Sequence, residues 1–300
     1  MSKIYRKTYA EINLINLYEN YSGIQEMLPS KTIIPVVKAN AYGHGVNEVV
    51  RFLVNKNVSY FAVSLLEEAL EIRKEFPFVN ILVMGYIQRE YFTTASINNI
   101  TVTITNLFQL ENIVEFDLPL NVHLKIDTGM NRLGFKSNIG IIKAFSILKD
   151  HHSIKLEGIY THFATADGSK EDYDMQLSRF KEVLNLLNYD FEIVHVSNSS
   201  SMIKYEKDYN FTTHTRLGIS LYGLTLDQET TFLLNTYRLI SHFTEIKYLS
   251  PGEKVGYGFT YTATGNEIIG ILPIGYADGF IRQNQGGDVE ISGKRYQIIG

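Results

Sequence analysis

Ile33-Ile34-Pro35-Val36-Val37-Lys38-Ala39-Asn40-Ala41-Tyr42-Gly43-His44-Gly45 is the stretch on which the reading of this chain turns. Residues 33–37 are apolar and mostly β-branched, the composition of a buried strand. An amine, Lys38, is thereby delivered to the strand's carboxyl end, where the glycines that follow open a loop. A lysine in that place loses hydration unless its charge is paired or its amine is chemically used. Burial also lowers an ammonium's pKa, which is what Schiff-base chemistry with an aldehyde requires. Taken alone, the stretch equally fits a lysine that lays its stem over apolar surface and keeps its ammonium in water.

Runs of the same kind recur at 60–63, 80–84, 101–104, 122–126, 156–160 and 192–196, with a weaker one at 217–221. Helix-like periodicity fills the intervals, for example at 45–56, 67–75, 139–148 and 176–187. Strand and helix alternating in this way make parallel βα units, and eight of them fit a (β/α)8 TIM barrel, typically ~250 residues. A doubly wound open sheet shares that repeating unit. Past Asp227 the texture changes: alternating runs at 237–248, 254–261, 267–271 and 289–299 are separated by Pro251-Gly252, Gly265-Asn266 and Ser292-Gly293. That is hairpin punctuation. The expected organisation is an α/β barrel over 10–228, followed by a mostly-β domain over 229–300 that also takes in a strand from 1–9. Gln297-Ile298-Ile299-Gly300 stops within or just after a strand, so the β domain is expected to be partial.

A formal net charge of −4 with no block of like charges argues against nucleic acid or an anionic membrane as partner. Cys is absent, which removes both disulfides and a thiol nucleophile within these residues. The N-terminal residues carry charge without a following apolar segment, unlike a signal peptide, and no apolar stretch spans a bilayer. A cytoplasmic location is the expectation. No metal is expected, since the histidines show no ligand spacing, and Gly43-His44-Gly45 lacks the third glycine of a dinucleotide fingerprint.

Barrel active sites lie at the carboxyl ends of the strands. Lys38 and Tyr42 follow the first, Lys125, Asp127 and Arg132 the fifth, and His162 the sixth. Asn198 and Ser199 follow the seventh, with Arg216, Gly218 and Ile219 at the eighth. Loops after strands seven and eight often bind phosphate, and Gly218 permits close backbone approach. Ser200 and Ser201 read as ordinary helix caps. A lone His is more often a satisfied core residue, which remains open for His162 and is the reading taken for His195. Arg132 is either a surface charge or, in its Gly-flanked loop, a ligand-facing one.

These residues, with Val-Val-Lys-Ala-Asn-Ala-Tyr-Gly-His-Gly, Lys-Ile-Asp-Thr-Gly-Met-Asn-Arg-Leu-Gly, Thr-His-Phe-Ala, His-Val-Ser-Asn-Ser, Thr-Arg-Leu-Gly-Ile, Gly-Tyr-Gly-Phe-Thr-Tyr and Ile-Gly-Tyr-Ala-Asp-Gly, give a chain that resembles alanine racemase over essentially its whole length. The resemblance implies an isomerase that uses pyridoxal phosphate to interconvert L- and D-alanine for peptidoglycan, as a homodimer with shared active sites. It implies that Lys38 carries the cofactor and exchanges a proton on one face of the substrate. Tyr257 would do so on the other face, from the partner subunit. Arg216 would bond the pyridine nitrogen and His162 would link Arg216 to Tyr257. Tyr42, Ser199, Gly218 and Ile219 would hold the phosphate, and Asn198 would also bind the cofactor. Arg132 would contact the cofactor's phenolic oxygen and the substrate carboxylate, Tyr276 would line the substrate entrance, and Lys125 matches a lysine often carbamylated to fix Arg132.

These implied roles cohere physically. Racemisation needs a base on each face of the α-carbon, while the cofactor supplies the electron sink. A guanidinium does not surrender its proton, so an Arg leaves the pyridine nitrogen unprotonated. A tyrosine ordinarily titrates near 10 and needs cationic neighbours to act as a base. The family continues past the position of Gly300 with Arg-x-Cys-Met-Asp and a later phosphate-binding Tyr, so the chain as it stands is expected to be poorly active. A racemase for serine or a broader amino-acid set is the alternative within the class. A non-catalytic, cofactor-carrying barrel is the alternative outside it, against which Gly256-Tyr257-Gly258 speaks.

Overall fold

Seven of the eight apolar runs contain strands where expected, the eighth strand is displaced, and the barrel strands run parallel. The computed structural model describes residues 5–165, 168–225 and 231–300. Strands Tyr60–Val63, Asn80–Val83, Thr101–Ile104, Leu120–Lys125, Ile154–Tyr160 and Ile193–His195 form one sheet in sequence order. Thr32–Pro35 and His214–Leu217 pair with each other. A parallel bridge from Val36 to Ala62 joins the first strand to the second, and the Thr213 amide donates to the Val194 carbonyl at 3.0 Å to join the eighth to the seventh. The ring therefore closes.

The eighth strand lies earlier than the expected 217–221. Residues Ile219–Tyr222 form a 3-10 turn instead. Gly218, at φ −99° and ψ −111°, leaves the extended path, and its amide donates to Ser199 Oγ rather than continuing the ladder.

Side-chain alternation sorts the strands into two faces. Phe61, Val63, Ile81, Val83, Val102, Val122, Leu124 and Ile159 point outward into the main core with helix residues such as Val49, Leu53, Ile72 and Ile113. Full burial of each such side chain stabilises by about 1.5–3 kcal/mol. Ile34, Val36, Tyr60, Ala62, Leu82 and Ile193 form a separate cluster inside the barrel. The fifth and sixth strands pair irregularly: Val122 pairs with Leu156 but His123 pairs with Gly158, so Glu157 is the extra residue of a β-bulge.

By contact the chain divides into residues 13–236 and a second unit of residues 237–300 with the segment ending at Ile12. The join expected at 228/229 lies in 226–230, outside the described residues. The N-terminal strand, expected within 1–9, is Tyr9–Ile12, and it belongs with the β unit because it pairs antiparallel with Tyr237–Ile240. The run 237–248 is two strands rather than one, the second being Glu245–Leu249, which pairs with Glu267–Ile271. Run 254–261 is likewise broken, by a 3-10 turn at Tyr257–Phe259. Run 289–299 is a hairpin of Asp288–Ile291 and Lys294–Gln297, turning at Ser292 and Gly293, both at positive φ.

Candidate active site

Lys38 stands where the first strand ends, and the backbone that follows is unusual. Ala39, Asn40, Ala41 and Tyr42 have φ between 51° and 54°, a single left-handed turn. For residues with a Cβ this conformation costs roughly 1–2 kcal/mol each, so the surroundings must hold it. They do so with hydrogen bonds. The Val46 amide donates to Asn40 Oδ1 at 2.8 Å, and the amides of Gly43 and Gly45 donate to carbonyls inside the turn. Glu68 Oε1 accepts from the Ala39 amide at 2.6 Å, while its Oε2 accepts from Ser64 and Leu65 at 2.8 and 3.0 Å. One carboxylate thus ties the loop after the second strand to the residue next to Lys38. Lys38 itself is half-buried, not enclosed, and its ammonium lies 5.8 Å from the Tyr42 ring centroid.

The fifth strand contributes Lys125, only 6% exposed, with its Nζ 4.7 Å from the Tyr160 ring centroid and donating to a single carbonyl, that of Ile126, at 3.4 Å. Burial, with the Arg216 charge adding to it and Asp127 opposing, pushes this ammonium's pKa well below its ordinary value. Buried Asp127 Oδ1 accepts from the Gly129 and Asn131 amides, both at 3.0 Å, and shapes the loop that presents Arg132. That loop folds back at Gly134 (φ 116°), where an added Cβ would lie 2.8 Å from the Lys125 carbonyl oxygen. Arg132 is exposed at the rim, and its charge acts on Lys125, Tyr160 and His162.

Arg216 is the centre of the arrangement. It is 2% exposed, and its pKa falls to about 10 through burial. No carboxylate bonds to it among the described residues. Nη2 donates to the Thr161 and Val196 carbonyls at 2.8 and 3.1 Å and to His162 Nδ1 at 3.2 Å, while Nη1 donates to His195 Nδ1 at 2.6 Å. Because a guanidinium only donates, both histidines present a bare Nδ1 to it. Burial and the charges of Arg216, Lys125, Arg132 and Lys38 bring the His162 pKa down to about 2. His162 is therefore a neutral ring whose proton is on Nε2. The reading of His195 as a core histidine missed that it makes the shortest bond to Arg216.

Beside this lies a small polar cradle. Ser199 is 4% exposed, and its Oγ accepts from the Gly218 and Ser220 amides at 3.0 and 3.3 Å. A Cβ built on Gly218 would sit 3.5 Å from both Ser199 Oγ and Tyr42 Oη, so the glycine keeps open the space those hydroxyls face. Asn198 caps the helix Ser199–Lys204 through Oδ1 and the Ser201 amide at 3.0 Å, and its Nδ2 donates to the Phe163 carbonyl at 3.4 Å. Ile219 opens the next turn, half-buried. Lys125 and Arg216 lie in the last residues of their strands, and Lys38, Tyr42, Arg132, His162, Asn198, Ser199, Gly218 and Ile219 follow the carboxyl ends of strands of the same barrel.

Tyr257 and Tyr276 belong to the β unit and are 80% and 60% exposed. Tyr257 sits between Gly256 and Gly258, both at positive φ, and Arg282 Nη2 donates to its carbonyl at 2.8 Å. Tyr276 lies in a turn held by Asp278, whose carboxylate takes the Gly275 amide at 3.0 Å and a bidentate grip from Arg6.

Comparison with known proteins agrees with this geometry. The family profile "Alanine racemase, N-terminal domain" matches residues 12–226, and "Alanine racemase, C-terminal domain" matches residues 236–300. An alanine racemase of Listeria innocua serovar 6a is 40% identical, covering 99% of this chain and 82% of the relative. The crystal structure of alanine racemase from E. faecalis superimposes with a TM-score of 0.93 at 35% identity, covering 98% of this chain and 82% of that one. A histidine racemase from Leuconostoc mesenteroides superimposes with a TM-score of 0.87 at 28% identity, covering 95% and 79%. No helix among the described residues is long and apolar enough to cross a membrane. With both domains matched in order and the barrel rim carrying this cluster, the chain belongs to the alanine racemase family and is a racemase, an isomerase of amino acids.

Proposed function

We propose that the protein interconverts L- and D-alanine with pyridoxal phosphate, in the cytoplasm, and supplies D-alanine for peptidoglycan. The observation that carries this reading is Lys38 on its left-handed turn, at the same rim as a buried Arg216 and the Ser199–Gly218–Tyr42 cradle. The cradle suits a phosphate: it brings the Ser199 and Tyr42 hydroxyls to a space that a side chain at position 218 would enter. Ser199, Tyr42, Asn198, Gly218 and Ile219 would hold that group, with Arg216 toward the pyridine nitrogen and Arg132 toward the phenolic oxygen. Pyridoxal phosphate, when bound, supplies the electron sink that makes the substrate's α-proton acidic.

The chain's own groups then divide the work. The Lys38 amine takes or returns the α-proton on one face. Tyr257 of a second copy does so on the other, which makes a homodimer the active form. His162, bare at Nδ1 and protonated at Nε2, would link Arg216 to that phenol. Arg216 cannot give up a proton to the ring nitrogen, which restrains side reactions. Arg132 fixes the substrate carboxylate, and Tyr276 lines the approach. Lys125, buried and with its ammonium disfavoured by burial and by the Arg216 charge, is the amine that carbon dioxide would carbamylate, giving Arg132 an anion to lean on.

The test is D-alanine formation from L-alanine with added pyridoxal phosphate, on this chain and on one carried on to the length of its relatives. Lys38→Ala is expected to lower activity on the order of 10⁴-fold and to abolish borohydride-stable attachment of the cofactor. Attachment at another lysine sinks the assignment. The histidine racemase neighbour gives weight to a second reading, a broader substrate range, so serine and histidine belong in the same assay.

A further inference from the structure

Three buried groups on the barrel's inner face are left unused by that mechanism: His195, His123 and Glu157, exposed by 0, 0 and 9%. They form one chain of hydrogen bonds with Arg216. Arg216 Nη1 lies 2.6 Å from His195 Nδ1, His195 Nε2 lies 2.9 Å from His123 Nδ1, and His123 Nε2 lies 3.0 Å from Glu157 Oε2. Tyr60 and Thr101, each the first residue of its strand, also donate to Glu157 Oε2, at 3.1 and 3.4 Å. The chain therefore runs from the catalytic rim to the amino end of the barrel.

Its direction follows from its ends. A guanidinium only donates, and a carboxylate only accepts. Between them each imidazole must accept at Nδ1 and donate at Nε2, or two donors would face each other in a buried place. We infer that Glu157, through His123 and His195, is a positioning residue: it locks both rings with their protons on Nε2, presents a lone pair to Arg216, and carries Arg216's counter-charge two rings away. This rests on the reading that Arg216 faces the cofactor.

The local structure is built for this. The bulge turns Glu157 and Gly158 inward together, whereas Leu156 and Ile159 both face the outer core. Gly158 is required beside it, since a Cβ there would lie 2.9 Å from the His123 ring and 2.8 Å from the Ile193 carbonyl oxygen. Tyr160 stacks on His195 with centroids 4.4 Å apart and fixes that ring's plane. The other charged or titratable groups acting on the chain are His214, Lys125, Lys155 and Glu192. Burial keeps His123 and His195 neutral. Although burial alone would raise the Glu157 pKa, the bonds from His123 and Tyr60 bring it below normal. The His123–Glu157 contact is thus a neutral ring donating to an anion rather than an ion pair.

Nitrogen-15 spectra of histidine-labelled protein with bound cofactor test this directly. Both rings should be neutral with the proton on Nε2; a proton on Nδ1 or an imidazolium at either ring overturns the proposal. Glu157→Gln, whose amide also accepts but can equally donate, should give mixed tautomers at both rings, a shifted cofactor absorption band, and a kcat about tenfold lower at unchanged KM. Tyr60→Phe loosens the same place yet keeps the carboxylate, and should leave tautomers and band alone. If Glu157→Gln behaves like Tyr60→Phe in all these readouts, Glu157 is merely structural. The native spectrum needs no variant, so a Glu157→Gln chain that fails to fold leaves that test standing. Arg216→Lys separates the two readings: an unmoved cofactor band there refutes the cofactor-facing role of Arg216 while the native tautomers still report on the relay.

Discussion

The barrel and the β unit hold their candidate groups in opposite ways. In the barrel, Lys125, Arg216 and Ser199 are each 6% exposed or less and woven into the fold's own hydrogen bonds. In the β unit, Tyr257 and Tyr276 stand 80% and 60% exposed on turns that other residues secure. Electrostatic work needs a desolvated place, where a charge acts strongly and reorganises little. A proton carrier offered to another molecule needs an accessible one. Function and stability are therefore entangled in the barrel and separable in the β unit.

Tyr257→Phe probes the separable side and carries the largest effect. Racemisation should fall about 10³-fold while unfolding free energy changes by less than about 0.5 kcal/mol, because an exposed phenol supports nothing in the fold. A large loss of stability in that variant would break the comparison.

Acid probes the entangled side. His123, His162 and His195 are held neutral in the fold, whereas unfolded histidines take up protons near pH 6.5. Below that pH the unfolded chain binds more protons, so stability falls as pH falls. His214, its pKa brought down to about 4 by burial, acts in the same direction, and each histidine that stays neutral steepens the slope by up to about 1.4 kcal/mol per pH unit. Chemical denaturation between pH 7 and pH 5 measures it, and a flat profile would show that these rings are not desolvated.

Lys125→Met sharpens the contrast with a smaller gain. In carbon-dioxide-free buffer the variant should be about 1–3 kcal/mol more stable, since a methionine fills the place without a group that prefers water. Unfolded lysine holds its proton up to about pH 10.4, so the unfolded state binds the extra proton and the advantage shrinks as pH rises toward that value. Bicarbonate should narrow the gap if the native amine is carbamylated. A variant less stable than the native chain in carbon-dioxide-free buffer would show that the amine is already well paired.

How much of this was legible depended on the distance over which each feature is encoded. Strands such as Tyr60–Val63 and Thr101–Ile104 announce themselves through their own composition, and the Ser292-Gly293 turn through two adjacent residues. The left-handed turn after Lys38 does not. Asn40 tolerates that conformation but Ala39 and Ala41 give no hint of it, and the carboxylate at its start comes from Glu68, 29 residues on. The break in 237–248 was hidden because both halves have strand composition. The bulge at Glu157 was hidden because a register shift belongs to a pair of strands and not to either one.

Local chemistry thus determined, by sequence alone, the alternation of strand and helix, the change to β hairpins past Asp227, and which polar residues lie at each strand end; that the sheet closes into a ring was decided by pairing between distant strands. The tertiary structure alone decided which of those residues are buried and what each one faces. Arg216 became a cation held by carbonyls and bare imidazole nitrogens, and His195 and Glu157 became parts of one directional chain. Desolvation and hydrogen-bond direction are set by neighbours brought from other strands, and no single segment encodes its neighbours.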